Sequence, residues 1–402
     1  MPTDLGSFLL RGRTLTFDRV PASDEETTHH YDGDGGILIE HSKIKALGSF
    51  NILRAQNPEV KVIDHRPHLL LPGFIDTHVH YVQMQVLGSY AGSLLEWLHN
   101  YTFLEEQRFN DEGHASRIAG LFLDELISNG TTTVLSFCSV HAKSVDAYFA
   151  AALDRNMAVL GGKVMMDREA PAPLTDTAQS GYDQSKMLIE RWHGKGRGKY
   201  AITPRFAITS TEEQLNKAGA LASEHPDCLI QSHLSENHGE IERVRQLFPG
   251  DASYAAVYER FGLLNHRALF GHCIHLNESE TALMAESGAV AVCCPTSNLF
   301  LGSGLFPRQR LAKAGIRISY ASDVGGGTSY SMLRTMSEAY KVAQVQGDRL
   351  NPFRTFAYAT IGNAGALGMA DEIGILAPNS FADIVVLDAK ATPSMALKME
   401  RV

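Results

Sequence analysis

The sequence predicts a TIM-like (β/α)8 barrel with a small β-sandwich domain formed by the two chain ends. Eight short apolar runs recur through the centre of the chain, and a stretch of helical character follows each of them. Short strands of alternating polarity stand at both ends. Neither a G-x-G-x-x-G fingerprint nor a P-loop follows an apolar run, so a doubly wound sheet is the weaker alternative.

The two ends of the chain hold the strands assigned to the small domain. These strands are Phe8–Phe17, Gly36–Lys45, Val60–Ile63 and Ala382–Asp388. Ser23–Asp34 is rich in charge and turn residues, so we expect a solvated loop there and interpret its two adjacent histidines as loop residues. This pattern predicts a composite β-sandwich domain of residues 1–68 and 373–402, with the catalytic barrel over residues 69–372.

The eight central runs are predicted to be the barrel strands. They are Phe74–His80, Thr132–Phe137, Val159–Met165, Tyr200–Phe206, Leu229–His233, Ala268–His272, Ala289–Cys293 and Arg317–Ala321. Between them, Ser210 and Glu213 have the spacing of a capping box, which predicts a helix start. Gly130, Gly288 and Gly315 are predicted to end helices. Eight strand–helix units in succession are the pattern of a TIM barrel.

The first barrel strand ends in two histidines separated by one residue. Because side chains alternate across a strand, His78 and His80 project from the same side as Asp76. Two neighbouring imidazoles suit half of a site for an ion of the zinc type. The pair taken alone is equally compatible with two half-buried strand histidines.

Polar residues at the other predicted strand ends favour a functional site. In a TIM barrel the chemistry lies at the C-terminal ends of the strands. Arg205, His233, Glu236, His272 and Asp323 all stand at such ends. Each has an ordinary structural explanation, such as a helix start for Glu236 or a turn for Asp323. Their common placement on one rim is better explained by an active site.

The rim residues suit one metal ion per chain, zinc or alternatively iron, with a position left for water. The expected ligands are His78, His80, His233 and Asp323. Glu236 is expected to transfer the proton of the activated water, and His272 to orient that water. A two-metal barrel would need a bridging lysine at the end of the fourth strand. Arg205 stands there instead, and Lys163 belongs to the third strand.

Composition and charge narrow the function further. The 402 residues are 44% hydrophobic and 20% charged, which describes a folded globular chain. The formal net charge of −9 gives no basic surface for nucleic acid or an anionic membrane, so we expect a small-molecule substrate. Five cysteines without a C-x-x-C spacing predict reduced thiols and a cytoplasmic protein. We expect neither a signal peptide nor a membrane span.

Several stretches together resemble the amidohydrolase superfamily over nearly the whole chain. They are His78–Gln83, Leu94–Phe103, Thr203–Phe206, His233–Asn237, Phe270–His275, Pro295–Gly304 and Ser322–Ser329. The H-x-H pair identifies only the superfamily. The Thr-Pro-Arg-Phe and Pro-Thr-Ser-Asn stretches are similar to a narrower group, the members that act on guanine in purine catabolism.

The resemblance implies a homodimeric zinc enzyme that hydrolyses guanine to xanthine and ammonia. It assigns zinc to His78, His80, His233 and Asp323. It implies catalytic roles for Glu236, His272 and Asp323. It implies that the purine is held by Gln83, Arg205, Phe206, His233, Glu236 and Asp323.

The chain departs from the family pattern at Val82, Leu104, Ile208 and Ser322. Val82 and Leu104 are expected to flank the pocket, where they would affect the choice of substrate. The alternative function is a related deaminase or chlorohydrolase acting on a pterin, a triazine or an oxidised purine. A non-catalytic assembly protein on the same barrel is disfavoured because every expected ligand is present.

An unrelated zinc site is also disfavoured. Deaminases of the cytidine type combine H-x-E with P-C-x-x-C. His238-Gly239-Glu240 supplies the first half of that pattern, and the second half is absent from the sequence. We therefore interpret this match as chance.

Overall fold

The computed structural model describes residues 6–23, 25–90 and 92–400. Its strands, in chain order, are β1 Phe8–Phe17, β2 His29–Glu40, β3 Lys43–Ser49, β4 Lys61–Pro72, β5 Phe74–His80, β6 Thr131–Phe137, β7 Ala158–Gly162, β8 Val164–Met165, β9 Gly198–Pro204, β10 Leu229–Leu234, β11 Ala268–His272, β12 Val290–Cys293, β13 Arg317–Tyr320 and β14 Ile384–Leu387.

Helices separate most of these strands. The α-helices are Phe50–Gln56, Leu94–Trp97, Phe103–Glu106, Glu112–Ser128, Ala142–Asp154, Ala178–Trp192, Glu212–Glu224, His238–Leu247, Tyr254–Arg260, Glu278–Ser287, Pro295–Phe300, Arg308–Lys313, Met332–Val345, Pro352–Ala357, Asn363–Ala366 and Pro393–Met399. Leu98–Thr102 and Tyr358–Gly362 are π-helical, and Tyr81–Val86, Gln107–Asn110, Ala172–Leu174 and Ala207–Thr209 are 3₁₀ turns. In the part of the chain that the structure describes, no helix has the length and apolar character needed to cross a membrane.

The predicted barrel is confirmed. Its strands lie side by side in the order β5, β6, β7, β9, β10, β11, β12 and β13, and β8 continues the third strand beyond Lys163. Two backbone hydrogen bonds close the rim: His80 N donates to Val324 O at 2.6 Å, and Asp323 N donates to His78 O at 3.0 Å. The end of the first barrel strand therefore meets the segment that follows the last one.

Burial explains why the barrel strands are continuous apolar runs. Every residue of β5, β7, β11 and β12 is buried, as expected for parallel strands that are covered on both faces. Gly161 and Gly162 belong to β7, within the stretch predicted to be the third barrel strand. A Cβ on Gly162 would lie only 1.9 Å from Ala201 O, which is why a glycine is needed at this strand contact.

The helix signals were placed almost correctly. The helix Glu212–Glu224 is capped by Thr211, whose hydroxyl accepts from Gln214 N at 3.2 Å, so the prediction that Ser210 is the cap is wrong by one residue. Gly130, Gly288 and Gly315 have φ values of 81°, 69° and 84°. These left-handed conformations are the ones that end helices, as predicted.

Strands from both ends of the chain share a second sheet, of order β14-β4-β1-β2-β3. β1 is confirmed as predicted, but the predicted strand over 36–45 is two strands, because His41 and Ser42 turn the chain with φ values of 50° and 63°. The loop expected over 23–34 is wrong from His29 onward. That stretch pairs with β1 because a strand partner was available in the fold. Asp24 lies outside the described residues.

The chain divides into two compact units. One consists of the described parts of 1–75, 130–132 and 351–402, and the other of those of 76–129 and 133–350. The residues of the candidate site considered below all belong to the second unit. The domain boundaries expected from the sequence, with a β-sandwich of 1–68 and 373–402 beside a barrel of 69–372, stay a prediction.

Candidate active site

The four expected metal ligands meet at the C-terminal rim of the barrel. His78 and His80 lie at the end of β5, His233 near the end of β10, and Asp323 shortly after β13. The Nε2 atoms of His80 and His233 are 3.3 Å apart. Asp323 Oδ1 lies 3.5 Å from Nε2 of both His78 and His80.

The chemistry of these side chains fits a divalent cation. Burial lowers the pKa of His78, His80 and His233, so the three imidazoles are neutral. Burial would raise the pKa of Asp323, but the nearby imidazoles of His78 and His272 hold it at about 2, so it is ionised. His233 Nδ1 donates to Arg205 O at 2.7 Å, which leaves Nε2 as a lone-pair donor. Three neutral imidazoles and one carboxylate form a ligand set of the zinc type.

Asp76 forms hydrogen bonds with the backbone beside two of the expected ligands. Its carboxylate is buried and accepts from Ser322 N at 3.1 Å, from the Ser322 hydroxyl, and from His78 N at 3.3 Å. Asp76 thus links the segment that carries the expected ligand His78 to the segment that carries the expected ligand Asp323. The sequence pattern placed Asp76 on the same face as the histidines, but it gave no indication of this role.

Gly271 on β11 sets the position of the His78 ring. A Cβ at Gly271 would lie 2.6 Å from His78 Cε1, closer than two carbon atoms can approach. We expect Gly271→Ala to displace the ring and to weaken metal binding by about 10- to 100-fold, the usual effect of disturbing a group that orients a ligand. Competition with a chromophoric chelator measures this affinity.

The matched control for Gly271→Ala is Gly250→Ala. Nothing lies within 4 Å of a Cβ at Gly250, so its substitution should leave the metal affinity unchanged. Equal affinities of the Gly271→Ala variant and the unaltered protein would show that the ring is not held by this contact.

Glu236 and His272 face each other beside the ligands. His272 Nε2 is 3.3 Å from Glu236 Oε2. The Ser303 hydroxyl donates to Glu236 Oε1 at 2.8 Å, and His272 Nδ1 is 2.8 Å from Asn298 Oδ1. Burial raises the pKa of Glu236 to about 7. A carboxyl group with a pKa near neutrality can both accept and release a proton.

The backbone is strained at this rim. Ser235, His272 and Asp323 have φ values of 51°, 75° and 52°, which non-glycine residues rarely adopt. Such conformations cost roughly 1–3 kcal/mol each and are held by the surrounding structure. They turn the chain sharply where the side chains of His272 and Asp323 must face the same point.

A cavity opens beside these groups at the rim of the barrel. All of the residues expected to bind substrate line it, namely Gln83, Arg205, Phe206, His233, Glu236 and Asp323. Its apolar wall consists of Leu94, Trp97, Leu98 and Leu301. The cavity is therefore lined both by the buried Glu236 carboxyl group and by Gln83 and Arg205, two polar side chains that can form hydrogen bonds with a ligand.

Glu106 is the site residue that sequence reasoning missed. Its carboxylate is fully buried and accepts from Arg205 Nη1 at 2.7 and 2.9 Å. Its Oε1 also accepts from Gln83 Nε2 at 2.8 Å, and Gly325 N donates to Gln83 Oε1 at 3.2 Å. Nothing in the sequence separates Glu106 from the adjacent Glu105, so only the fold identifies it.

Two departures from the family pattern, Val82 and Leu104, do not line the cavity. Leu104 is 61% exposed and Val82 is fully buried. The expectation that they affect the choice of substrate stays a prediction. Leu104 belongs to the short helix Phe103–Glu106. Its side chain is exposed, whereas that of Glu106, two residues later, is buried.

Other residues discussed from the sequence have structural partners. Lys163 is buried and donates to Asp176 and to Val164 O. Glu240 caps its helix by accepting from Asn237 N, and it also accepts from Glu236 N at 2.8 Å. His29 stacks on Phe353 with ring centroids 4.1 Å apart. All five cysteines are buried free thiols.

Comparison with known proteins gives a consistent result. The sequence pattern of the Amidohydrolase family matches residues 69–400. A guanine deaminase of Escherichia coli K12 is 44% identical over 394 residues, which cover 97% of this chain and 90% of the relative. The solved structure of E. coli guanine deaminase covers 98% of this chain and 92% of its own, with a TM-score of 0.96 and 43% identity. A guanine deaminase from C. acetobutylicum with bound guanine in the active site has a TM-score of 0.88 and 28% identity, covering 99% of this chain and 93% of its own.

Proposed function

The chain belongs to the amidohydrolase family and, within it, to the guanine deaminases, and from this membership we propose how its own residues convert guanine to xanthine and ammonia. One observation supports the proposal most strongly. A single cavity is lined both by metal-type ligands with a buried carboxyl group and by two polar side chains suited to a purine edge.

His78, His80, His233 and Asp323 would hold one zinc ion. When bound, the ion would lower the pKa of a water molecule and so supply a nucleophile near neutral pH. A second ion is disfavoured because Arg205, paired with Glu106, stands where a bridging lysine would be needed. Lys163 is committed to its ion pair with Asp176.

Glu236 accepts the proton of the attacking water. It then delivers that proton to the ring nitrogen beside the carbon that carries the amine, which leaves a tetrahedral carbon bearing both a hydroxyl and the amine. Glu236 next carries the hydroxyl proton to the amine, the C–N bond breaks as the carbonyl of xanthine forms, and ammonia leaves. Ser303 donates to the Glu236 carboxyl group, and Glu240 holds the Glu236 backbone by accepting from its N–H. His272, oriented by Asn298, faces the same space with Nε2 and can hold the water by a hydrogen bond.

Arg205, Gln83 and Phe206 bind the purine in this proposal. Arginine offers only N–H donors, whereas the glutamine amide offers both donors and an acceptor. Guanine has a carbonyl oxygen beside a ring N–H, which such a pair can satisfy. The apolar wall with Trp97 excludes water from the flat ring.

A panel of substrates tests the function directly. Ammonia release should be measured over amino-purines, pterins and triazines, and we expect the highest kcat/KM for guanine. A higher value for a pterin, a triazine or an oxidised purine would favour the alternative functions. The absence of both ammonia release and chloride release from every compound, chlorinated triazines included, would favour a non-catalytic protein.

The proposed metal content gives a separate prediction. Elemental analysis of active protein should find close to one zinc ion per chain, and removal by a chelator should abolish ammonia release until zinc is restored. Iron at the same stoichiometry would change only the identity of the metal. Two tightly held ions per chain would contradict the single-ion site.

We also propose a homodimer in the cytoplasm. The homodimer is supported by family resemblance alone. The location is supported by the five buried free thiols, which suit a reducing compartment.

A further inference from the structure

We propose that Glu106 determines the specificity of the cavity for a purine carbonyl, by holding Arg205 and Gln83 with their remaining N–H donors toward the ligand. Glu106 contacts both side chains and does not itself line the cavity. It is therefore a positioning residue. The inference rests on the proposed function, because it concerns how the same site reads its substrate.

The Arg205 guanidinium is held on two sides. Nη1 donates to both oxygens of Glu106, and the guanidinium carbon lies 5.5 Å from the centre of the Phe103 ring. Among the described residues, Nε and Nη2 of Arg205 have no hydrogen-bond acceptor. Because Arg205 lines the cavity, these N–H groups are the donors that remain for a ligand.

The Gln83 amide has one allowed orientation. Its Nε2 donates to the Glu106 carboxylate, and its Oε1 accepts from Gly325 N. A flipped amide would set oxygen against the carboxylate and N–H against the backbone N–H, which would leave buried polar groups unpaired. Glu106 thus fixes where the second N–H of Gln83 points.

The pairing also removes net charge from this wall of the cavity. Arg205 and Glu106 are 3% and 0% exposed in their side chains, so their charges are compensated by each other and not by water. The wall offers strong donors without a free positive charge. Such a wall favours a neutral carbonyl ligand over a carboxylate or a phosphate.

Glu106→Gln tests this arrangement with little change of shape. The new amide group would set a donor against Arg205 Nη1 or, when flipped, against Gln83 Nε2. The donors on the cavity side would lose their fixed direction. The effect should therefore be confined to ligands that offer a carbonyl acceptor.

The decisive measurement compares two ligands by calorimetry with zinc-loaded protein. Hypoxanthine has the carbonyl and ring N–H of guanine but no amine, and purine lacks the carbonyl as well. We expect Glu106→Gln to lower the affinity for hypoxanthine by roughly 10- to 100-fold, the range for a buried hydrogen bond left unmade. The affinity for purine should fall by less than about threefold. In steady-state kinetics with guanine, the rise in KM should be larger than the fall in kcat.

Glu105→Gln is the matched control. Glu105 is the neighbouring residue of the same helix, is 8% exposed, and accepts from Arg108 Nη1 at 2.7 Å. Its substitution should leave both ligand affinities unchanged. Glu106→Asp keeps the charge but shortens the side chain, and it should restore part of the hypoxanthine affinity.

Equal weakening of hypoxanthine and purine in Glu106→Gln would overturn the proposal, because a merely structural role affects both ligands alike. The proposal would also be overturned if Glu105→Gln selectively lowered the affinity for hypoxanthine, or if Glu106→Asp restored none of that affinity. The binding experiment does not depend on turnover. Unaltered protein that binds hypoxanthine better than purine but fails to deaminate guanine would refute the proposed function and leave Glu106 in its role.

Discussion

Glu236→Gln should lower kcat for guanine by roughly 10²- to 10⁴-fold, the contribution expected of a positioned acid or base. Glutamine has nearly the same shape as glutamate and can still accept from the Ser303 hydroxyl, which lies 2.8 Å away. It cannot take up a proton from water. The loss should therefore appear in kcat, with a smaller change in KM.

Metal content separates the proposed role of Glu236 from that of a ligand. Elemental analysis of Glu236→Gln should give the same occupancy as the unaltered protein. Glu242→Gln, on the exposed side of the following helix, is the control that should retain full activity. Loss of the metal from Glu236→Gln would mean that the assigned role is wrong.

Guanine should be preferred over adenine by roughly 10⁴-fold in kcat/KM, since sites built to hydrogen-bond one polar edge can reject the wrong analogue by this factor. Adenine carries an amine where guanine has its carbonyl, so the donors of Arg205 would face another donor. The carbon that bears the amine would also lie elsewhere, and a displacement of about 1 Å can cost on the order of 10²-fold.

Arg205→Ala examines the same preference from the protein side. The variant should lose most of its guanine turnover and retain its metal, because Arg205 contacts the ligand His233 only through a backbone carbonyl. Steady-state kinetics with both purines, together with elemental analysis, measure these effects. Comparable specificity constants for adenine and guanine in the unaltered protein would refute this account of the cavity.

The part of the site that could be predicted lies at strand ends. His78, His80, His233 and Asp323 follow apolar runs, and the rule that barrel strands end on one rim is enough to bring them together. The eight strands themselves were recognisable because buried parallel strands leave continuous apolar runs in the sequence.

The part that could not be predicted lies in segments whose path is set by tertiary packing. Glu106, Asn298 and Ser303 come from connections between strands, where no periodicity shows which side chain turns inward. Leu104 illustrates the same difficulty, because a large apolar residue near the pocket stretch is 61% exposed. The strand that begins at His29 is stabilised by its pairing with β1. Its polar local sequence does not predict a strand.

The closure of the rim has a consequence for the newly made chain. Asp76 and Ser322 are 246 residues apart, and their hydrogen bonds join the two stretches that carry His78 and Asp323. At a synthesis rate of roughly 5–20 residues per second, the second stretch follows the first by about 12 to 50 seconds. During that interval the nascent polypeptide holds His78 and His80, and later His233, but it lacks the carboxylate of Asp323. With the proposed ligand set, acquisition of the ion is therefore a late event in biogenesis, and a product that ends before Asp323 lacks one of the four proposed ligands.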